Sequence, residues 1–333
     1  MRDLSISVHF ARAVLKHTIA HGLDPAELLR KNRISPRLLH EDNARISIER
    51  FANLQVSTML AMEDECLGYA SRRMPVGCWA MMCHSIIQCE TLGQALSRHC
   101  RFYQMFEFGV SPHLIIDERS ARIELRELER IAPESMYLKE MNLFFAHRLA
   151  SWLVQEHLPL QSVELDYRPM TSPADYRHMF LANPIEFERP QSAINFSPAL
   201  LEKRIEQSEQ SLRHFLRHPV LMMLTKSYEL NSWTSQVRDL ARHQLTSMPE
   251  LNDVSTQLDI HPQTLRRRLS AEGTTFKEIK NQLRRDTALY YLGKQGLSIE
   301  EIAYRAGFSE SSAFIRAFKS WTGVTPYTYR KGL

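Results

Sequence analysis

Two short helical pairs near the end of the chain constrain its fold more than any other feature. The sharper one runs from Ser298 to Thr322 and reads SIEEIAYRAGFSESSAFIRAFKSWT. Ser298 and Glu301 have capping-box spacing, so a helix is expected to start there. Ile299, Ile302, Ala303 and Ala306 recur at helical spacing and give that helix one apolar stripe. Gly307 can take the left-handed conformation that ends it, and Ser309 is placed to cap the next helix. In this second helix Phe314, Ala317, Phe318 and Trp321 form the inward stripe, while Ser312, Arg316 and Lys319 lie on another face. Gly323 and Pro326 then stop it.

The stretch from Leu251 to Ser270 repeats the plan. Leu251, Val254, Ser255 and Leu258 give one inward face. Asp259 occupies the tight turn, a role it tolerates better than most residues because its side chain permits positive φ. Pro262 fits the first position of a helix. Leu265 and Leu269 point inward, and Gln263, Arg266, Arg267 and Ser270 share the opposite face. Phe276 to about Gly293 reads as one long helix joining the two pairs, roughly 25 Å at 1.5 Å per residue.

A helix presented in this way can enter the major groove, where Arg suits guanine and Gln suits adenine. A strut of this length approaches the ~34 Å between successive major grooves on one side of a duplex. Charge follows the same division. From Ser232 to the end there are 15 Lys and Arg against 10 Asp and Glu, whereas the preceding residues carry 27 against 28. The excess positive charge therefore sits where phosphate would be bound. One helix-turn-helix can be mere packing, but two in tandem with basic outer faces point to double-stranded DNA.

These two units, their connector and the closing segment GFSESSAFIRAFKSWTGVTPYTYR resemble the DNA-binding domain of AraC/XylS transcription regulators over about Ser232 to Arg330. The resemblance implies base contacts from Gln263, Arg266 and Arg267 on the first reading helix, and from Ser312 and Arg316, with Ser311 nearby, on the second. His261 stands where the family often has Ser as a cap. Ser311 and Ser312 stand where larger polar residues are common, which leaves Arg316 and Lys319 mainly for phosphate. RNA polymerase is the partner such regulators imply, and activation is their more common mode.

The upstream residues read as a mixed domain. Helices are expected from Phe10 to Ile19 (ended by Gly22), from Asp24-Pro25, from Ser35-Pro36, over Ile46–Met62, and after Thr91, where Leu92, Ala95, Leu96 and His99 share a face. A hairpin is expected around Asp117–Ser120, a deeply buried helix over Glu134–Gln155, a strand over Ser162–Tyr167, a helix over Ala174–Leu181, and a second hairpin joining Ile185–Glu188 to Ala193–Phe196. The passages TLGQALSRHCRFY and FERPQSAINFSPALL resemble an arabinose-binding-like effector domain found in a subset of these regulators. That implies a small-molecule effector and dimerisation. The expected architecture is thus an α+β effector-sensing domain over 1–228 followed by an all-α DNA-binding domain over 229–333, with helix-turn-helix units at about 251–270 and 298–322.

Other chemistry finds little support. Phe102, Tyr103, Met105, Phe106 and Phe108 beside Arg101 could line an apolar cavity with a cationic anchor, but ordinary core explains them as well, and no ligand residues are assigned. Five cysteines fall between Cys66 and Cys100. Their spacings match no common zinc pattern, so no metal is assigned, although a redox- or metal-responsive regulator on the same scaffold is the alternative reading. Glu63, Asp64 and Glu65 read as a solvated turn. Phosphate-cradling glycine loops and hydrolase signatures are missing, so no enzyme activity, catalytic residue or cofactor is expected. The opening residues lack a signal peptide and no apolar run is long enough for a membrane span, which fits the cytoplasm.

Overall fold

The computed structural model describes residues 5–42, 44–128, 136–170, 173–180, 184–225, 233–272, 274–294 and 296–331. Packing divides the chain into two compact units. One holds residues 1–12, 26–54 and 229–333, and the other holds 13–25 and 55–228. By packing, then, residues 5–12 and 26–54 lie with the C-terminal helices, although in sequence they lead into the first domain. The stretch near Tyr228, where the sequence reading put its boundary, falls largely outside the described residues.

The first unit contains a two-stranded antiparallel ribbon that the sequence reading missed. Strand β1 (Ser5–Ser7) pairs with β2 (Arg45–Ser47). Helix Ile48–Met62 follows β2 directly, so Ile46 is in a strand, not in the helix expected to begin there. Ser5 Oγ donates to Asp286 Oδ1 at 2.6 Å, and Arg45 Nε donates to Ser5 Oγ at 3.1 Å. The buried Asp286 lies within the long helix Phe276–Leu292, so the ribbon supplies the hydroxyl donor its carboxylate needs. Burial raises the Asp286 pKa, and Arg285, Ser5, Arg45 and Arg238 oppose that rise.

The C-terminal helices are Trp233–His243, Leu251–Gln257, Pro262–Ala271, Phe276–Leu292, Ile299–Arg305, Ser311–Thr322 and Pro326–Lys331. Val237, Ala241, Val254, Leu265, Leu269, Ile279 and Leu283 form one continuous core among the first four. Each large aliphatic side chain buried there contributes about 1.5–3 kcal/mol relative to exposure. Phe308, Phe314, Phe318 and Tyr329 form a chain of aromatic contacts among the last three. Gly307 has φ 77°, and a Cβ there would lie 2.5 Å from the Leu245 carbonyl oxygen, so the turn requires glycine twice over.

The second unit is built on a five-stranded sheet in the order β3-β4-β7-β5-β6, from Val110–Ile116, Ala121–Glu127, Ala193–Phe196, Leu160–Glu164 and Ile185–Glu186 respectively. The hairpin β3/β4 forms as expected, with Asp117 Oδ1 accepting the backbone N–H of Arg119 and Ser120. The second expected hairpin does not form. Strand β6 runs parallel to β5, and β7 inserts between β4 and β5. All four residues of β7 are buried, which a central strand requires and a peripheral hairpin does not. Helix Met136–Leu153 is buried almost all round, in agreement with its wide apolar set. Thr91 caps Leu92–Phe106 by accepting from Gln94 N.

Two helix expectations and one strand expectation are corrected. The opening helix stops at Leu15 and a separate 3-10 turn, Ile19–His21, precedes Gly22, with Ile19 exposed. Pro36–His40 is likewise a 3-10 turn. Strand β5 ends at Glu164 and not at Tyr167.

Candidate nucleic-acid interface

The first reading helix, Pro262–Ala271, is held from below and open above. Leu265 and Leu269 are buried in the unit's core. Gln263, Arg266, Arg267 and Ser270 are exposed together on the other face, as their spacing requires. Asp259 takes φ 52° in the turn, the positive value expected of it. His261 occupies the N-cap, and its Nδ1 accepts from Gln263 N at 3.2 Å, so the imidazole does what a serine hydroxyl would. Arg266 Nη1 donates to Gln263 Oε1 at 3.2 Å, which links two of the candidate base readers.

The second reading helix, Ser311–Thr322, follows the same logic. Phe314 and Phe318 are fully buried, and Ser312, Arg316 and Lys319 are exposed. Ala317 and Trp321 are only partly covered, as is Ser311. The preceding helix has the Ser298/Glu301 capping box in full, with its stripe of Ile299, Ile302, Ala303 and Ala306 buried. One detail differs. The cap of Ser311–Thr322 falls on Glu310, not on Ser309, and Ser312 Oγ donates to the Glu310 carboxylate at 3.2 Å. A carboxylate thus stands at the start of this helix, where it favours the helix dipole but opposes phosphate.

The connector Phe276–Leu292 opens with a capping box between Thr275 and Glu278. It runs 17 residues, about 25 Å, matching the expected strut. Arg284 ties it to the second unit's turn, donating to the Gly307 carbonyl at 3.1 Å while its guanidinium lies 4.9 Å from the Phe308 ring centroid.

Sequence reasoning missed a set of residues at the far end of the first reading helix. Glu272 Oε1 accepts from Trp233 N at 2.9 Å. Its Oε2 accepts from Thr234 N at 2.8 Å and Thr234 Oγ1 at 2.5 Å. Arg268 stacks over Trp233, 4.0 Å from the ring centroid. The two pairs are some 35 residues apart, beyond the reach of any helical periodicity. The only available signal was an Arg and a Glu four residues apart at the helix's end.

In the other unit, the candidate groupings come apart. Phe108 and Tyr103 are buried, but Met105 is 60% exposed and Phe106 41%, and Arg101 faces solvent. These residues therefore do not enclose an anchor. The acidic turn is not simply solvated. Asp64 is buried and accepts backbone N–H bonds from Cys66, Gly68 and Met74. Glu65 accepts from Gly77 and Trp79, and only Glu63 is exposed. Cys66, Cys83, Cys89 and Cys100 are buried free thiols and Cys78 is half-buried. Burial raises the pKa of every one, and nearby carboxylates add to this at Cys66, Cys78 and Cys83. Among the described residues no His, Cys, Asp and Glu group could hold a metal ion. No described helix is long and apolar enough to cross a membrane.

Two helix-turn-helix units joined by one connector helix, in a chain whose other unit is built on a mixed sheet, are the arrangement of a DNA-binding transcription regulator. Residues 22–205 match the family described as the arabinose-binding domain of AraC transcription regulators, and residues 254–332 match a helix-turn-helix domain family. The chain belongs to the AraC family of transcription regulators. It is 26% identical over 329 residues to the ornithine utilization regulator of Pseudomonas aeruginosa, covering 98% of this chain and 96% of that one. It is 25% identical over 319 residues to the regulator VirS of Mycobacterium tuberculosis, covering 93% and 91%. Among solved structures, the transcriptional regulator CdpR from Pseudomonas aeruginosa aligns over 92% of this chain and 96% of its own, at 22% identity and a TM-score of 0.34.

Proposed function

We propose that this regulator is an activator that reads DNA chiefly through Gln263, Arg266 and Arg267. Arg316 and Lys319, with Ser311 and Ser312 beside them, act mainly on phosphate. A small-molecule effector bound in the unit containing residues 55–228 controls it, the same unit joins two copies into a homodimer, and RNA polymerase is its partner at the promoter. The observation that carries the reading is the shared exposed face of Gln263, Arg266 and Arg267, fixed by Leu265 and Leu269 on the opposite face. Three polar side chains held on one side of a capped helix can meet base edges together. The second helix presents Arg316 and Lys319 behind the Glu310 carboxylate, which suits a positional role more than base readout. The cysteine alternative draws less support, because burial disfavours the thiolate that redox and metal chemistry need.

The test is selection of bound sequences from random DNA by the full-length protein, followed by Arg267→Ala on the selected site. A bipartite site is expected, with its halves about one helical turn apart. Arg267→Ala should weaken the selected site by about 5- to 150-fold, the loss of one bidentate base contact, at an unchanged melting temperature. Retained affinity in a folded Arg267→Ala protein refutes the assignment.

A further inference from the structure

The first reading helix is fixed at both ends by different means. At its start the His261 ring caps it locally. At its far end it is held by residues that belong to another helix. Trp233 and Thr234 form the first turn of Trp233–His243, whose leading N–H groups have no partner within that helix. The Glu272 carboxylate satisfies two of them and takes the Thr234 hydroxyl as well. Arg268, one turn earlier on the reading helix, lays its guanidinium over the Trp233 ring. A charge-assisted cap and a cation–π contact thus act on the same first turn. Arg268 sits next to Arg266 and Arg267 in sequence, yet its guanidinium is engaged by Trp233 and turned to a structural task.

We infer that Trp233, Thr234, Arg268 and Glu272 form a positioning clamp that sets the first reading helix for base readout. The inference rests on the proposed role of Gln263, Arg266 and Arg267. A base-reading side chain must be held to within about half an ångström, and that precision comes from a rigid supporting shell. Leu265 and Leu269 fix the depth of the helix, but apolar burial is non-directional and sets its orientation less sharply than polar contacts do, so some freedom of orientation is left. The clamp, three to seven residues beyond Leu265, removes that freedom. The clamp also lies immediately after residues 226–232, the chain that leads into this helix from the second unit. None of its four residues is assigned to the DNA.

The experiment uses full-length protein on the selected site, with single base pairs replaced in each half. The effect of Arg267→Ala identifies which half the first helix reads. Glu272→Gln loses the acceptor that serves Thr234 twice, and Arg268→Lys keeps the charge while losing the stack. Each is expected to lower base discrimination in that half at least about fivefold, the lower end of one base contact. Discrimination in the other half and the salt dependence of binding should stay as in the unaltered protein. Unchanged discrimination in both halves overturns the clamp, as does an equal loss in both halves. If Glu272→Gln proves unfolded, Arg268→Lys decides the matter alone. Should Arg267→Ala leave base preference intact in both halves, the reading assignment itself fails, and the clamp with it.

Discussion

Replacing Glu140 by Gln should stabilise the protein above neutral pH. Glu140 lies on helix Met136–Leu153 and is 1% exposed. Its Oε1 accepts two hydrogen bonds, from the Tyr167 hydroxyl at 2.9 Å and from the Tyr176 hydroxyl at 2.9 Å. Burial pushes its pKa up from an ordinary 4.5 to about 7, and the two tyrosines only partly restrain the rise. The native state therefore holds a proton that the unfolded chain has already released between about pH 4.5 and 7. The group's contribution to stability is fully present below pH 4.5 and is lost as pH rises through 7. At 1.36 kcal/mol per pH unit, the 2.5-unit difference corresponds to about 3 kcal/mol at pH 8. A Gln carbonyl oxygen can occupy the Oε1 position and keep both tyrosine bonds while carrying no charge. Urea unfolding of both proteins at pH 5 and pH 8 measures the effect. The Gln variant should lie within about 1 kcal/mol of the parent at pH 5 and exceed it by up to about 3 kcal/mol at pH 8. Equal pH dependence in the two proteins would show that Glu140 ionises as it does in water, and would refute the reasoning.

Ser5→Ala removes the hydroxyl that donates to buried Asp286 and should cost about 1–3 kcal/mol, read by unfolding of the full chain. A change below about 0.5 kcal/mol would mean that the ribbon is not needed for Asp286. Arg316→Ala should flatten the salt dependence of operator binding by about 0.9 in the log–log slope and weaken binding similarly across sequences. A loss confined to particular base pairs would instead make Arg316 a base reader. Brief treatment of the native protein with iodoacetamide, followed by peptide mass spectrometry, should label half-buried Cys78 ahead of the other four cysteines. Earlier labelling of Cys66 or Cys83 would contradict their burial.

The sequence is most readable where structure depends on neighbours within a few turns. Ile299, Ile302, Ala303 and Ala306 gave the stripe, Ser298 and Glu301 the cap, and Asp259 and Gly307 the turns, all from local periodicity and φ preference. The exposed face of Gln263, Arg266 and Arg267 was legible for the same reason. What was not legible depends on distant pairing. Strand β6 looks like half of a hairpin with β7 because only a short stretch around Arg189-Pro190-Gln191 separates them, yet β5 lies between them in the sheet. Ser5 and Asp286 are 281 residues apart, and no local pattern marks either as the other's partner. Asp64 sits in a run of three acids that reads as solvent-facing, but its carboxylate satisfies three backbone donors of its own loop. Local composition cannot reveal that arrangement.

The composition of the DNA-binding unit bears on how it could be controlled. The chain passes between the two units four times, at 12/13, 25/26, 54/55 and 228/229. A regulator with a single linker has one covalent route between its units. Here the β1/β2 ribbon reaches the connector helix through Ser5 and Asp286, and the chain around 228/229 leads into the Trp233 clamp at the first reading helix. A ligand shifts an equilibrium only by its differential affinity for two states, so each added covalent route raises the number of positions at which those states can differ. Asp286 is one such position. Its carboxylate is tolerable in the core only while Ser5, Arg45, Arg238 and Arg285 surround it. Displacement of the ribbon would therefore cost energy within the connector helix between the two helix-turn-helix units, away from the residues proposed to meet DNA.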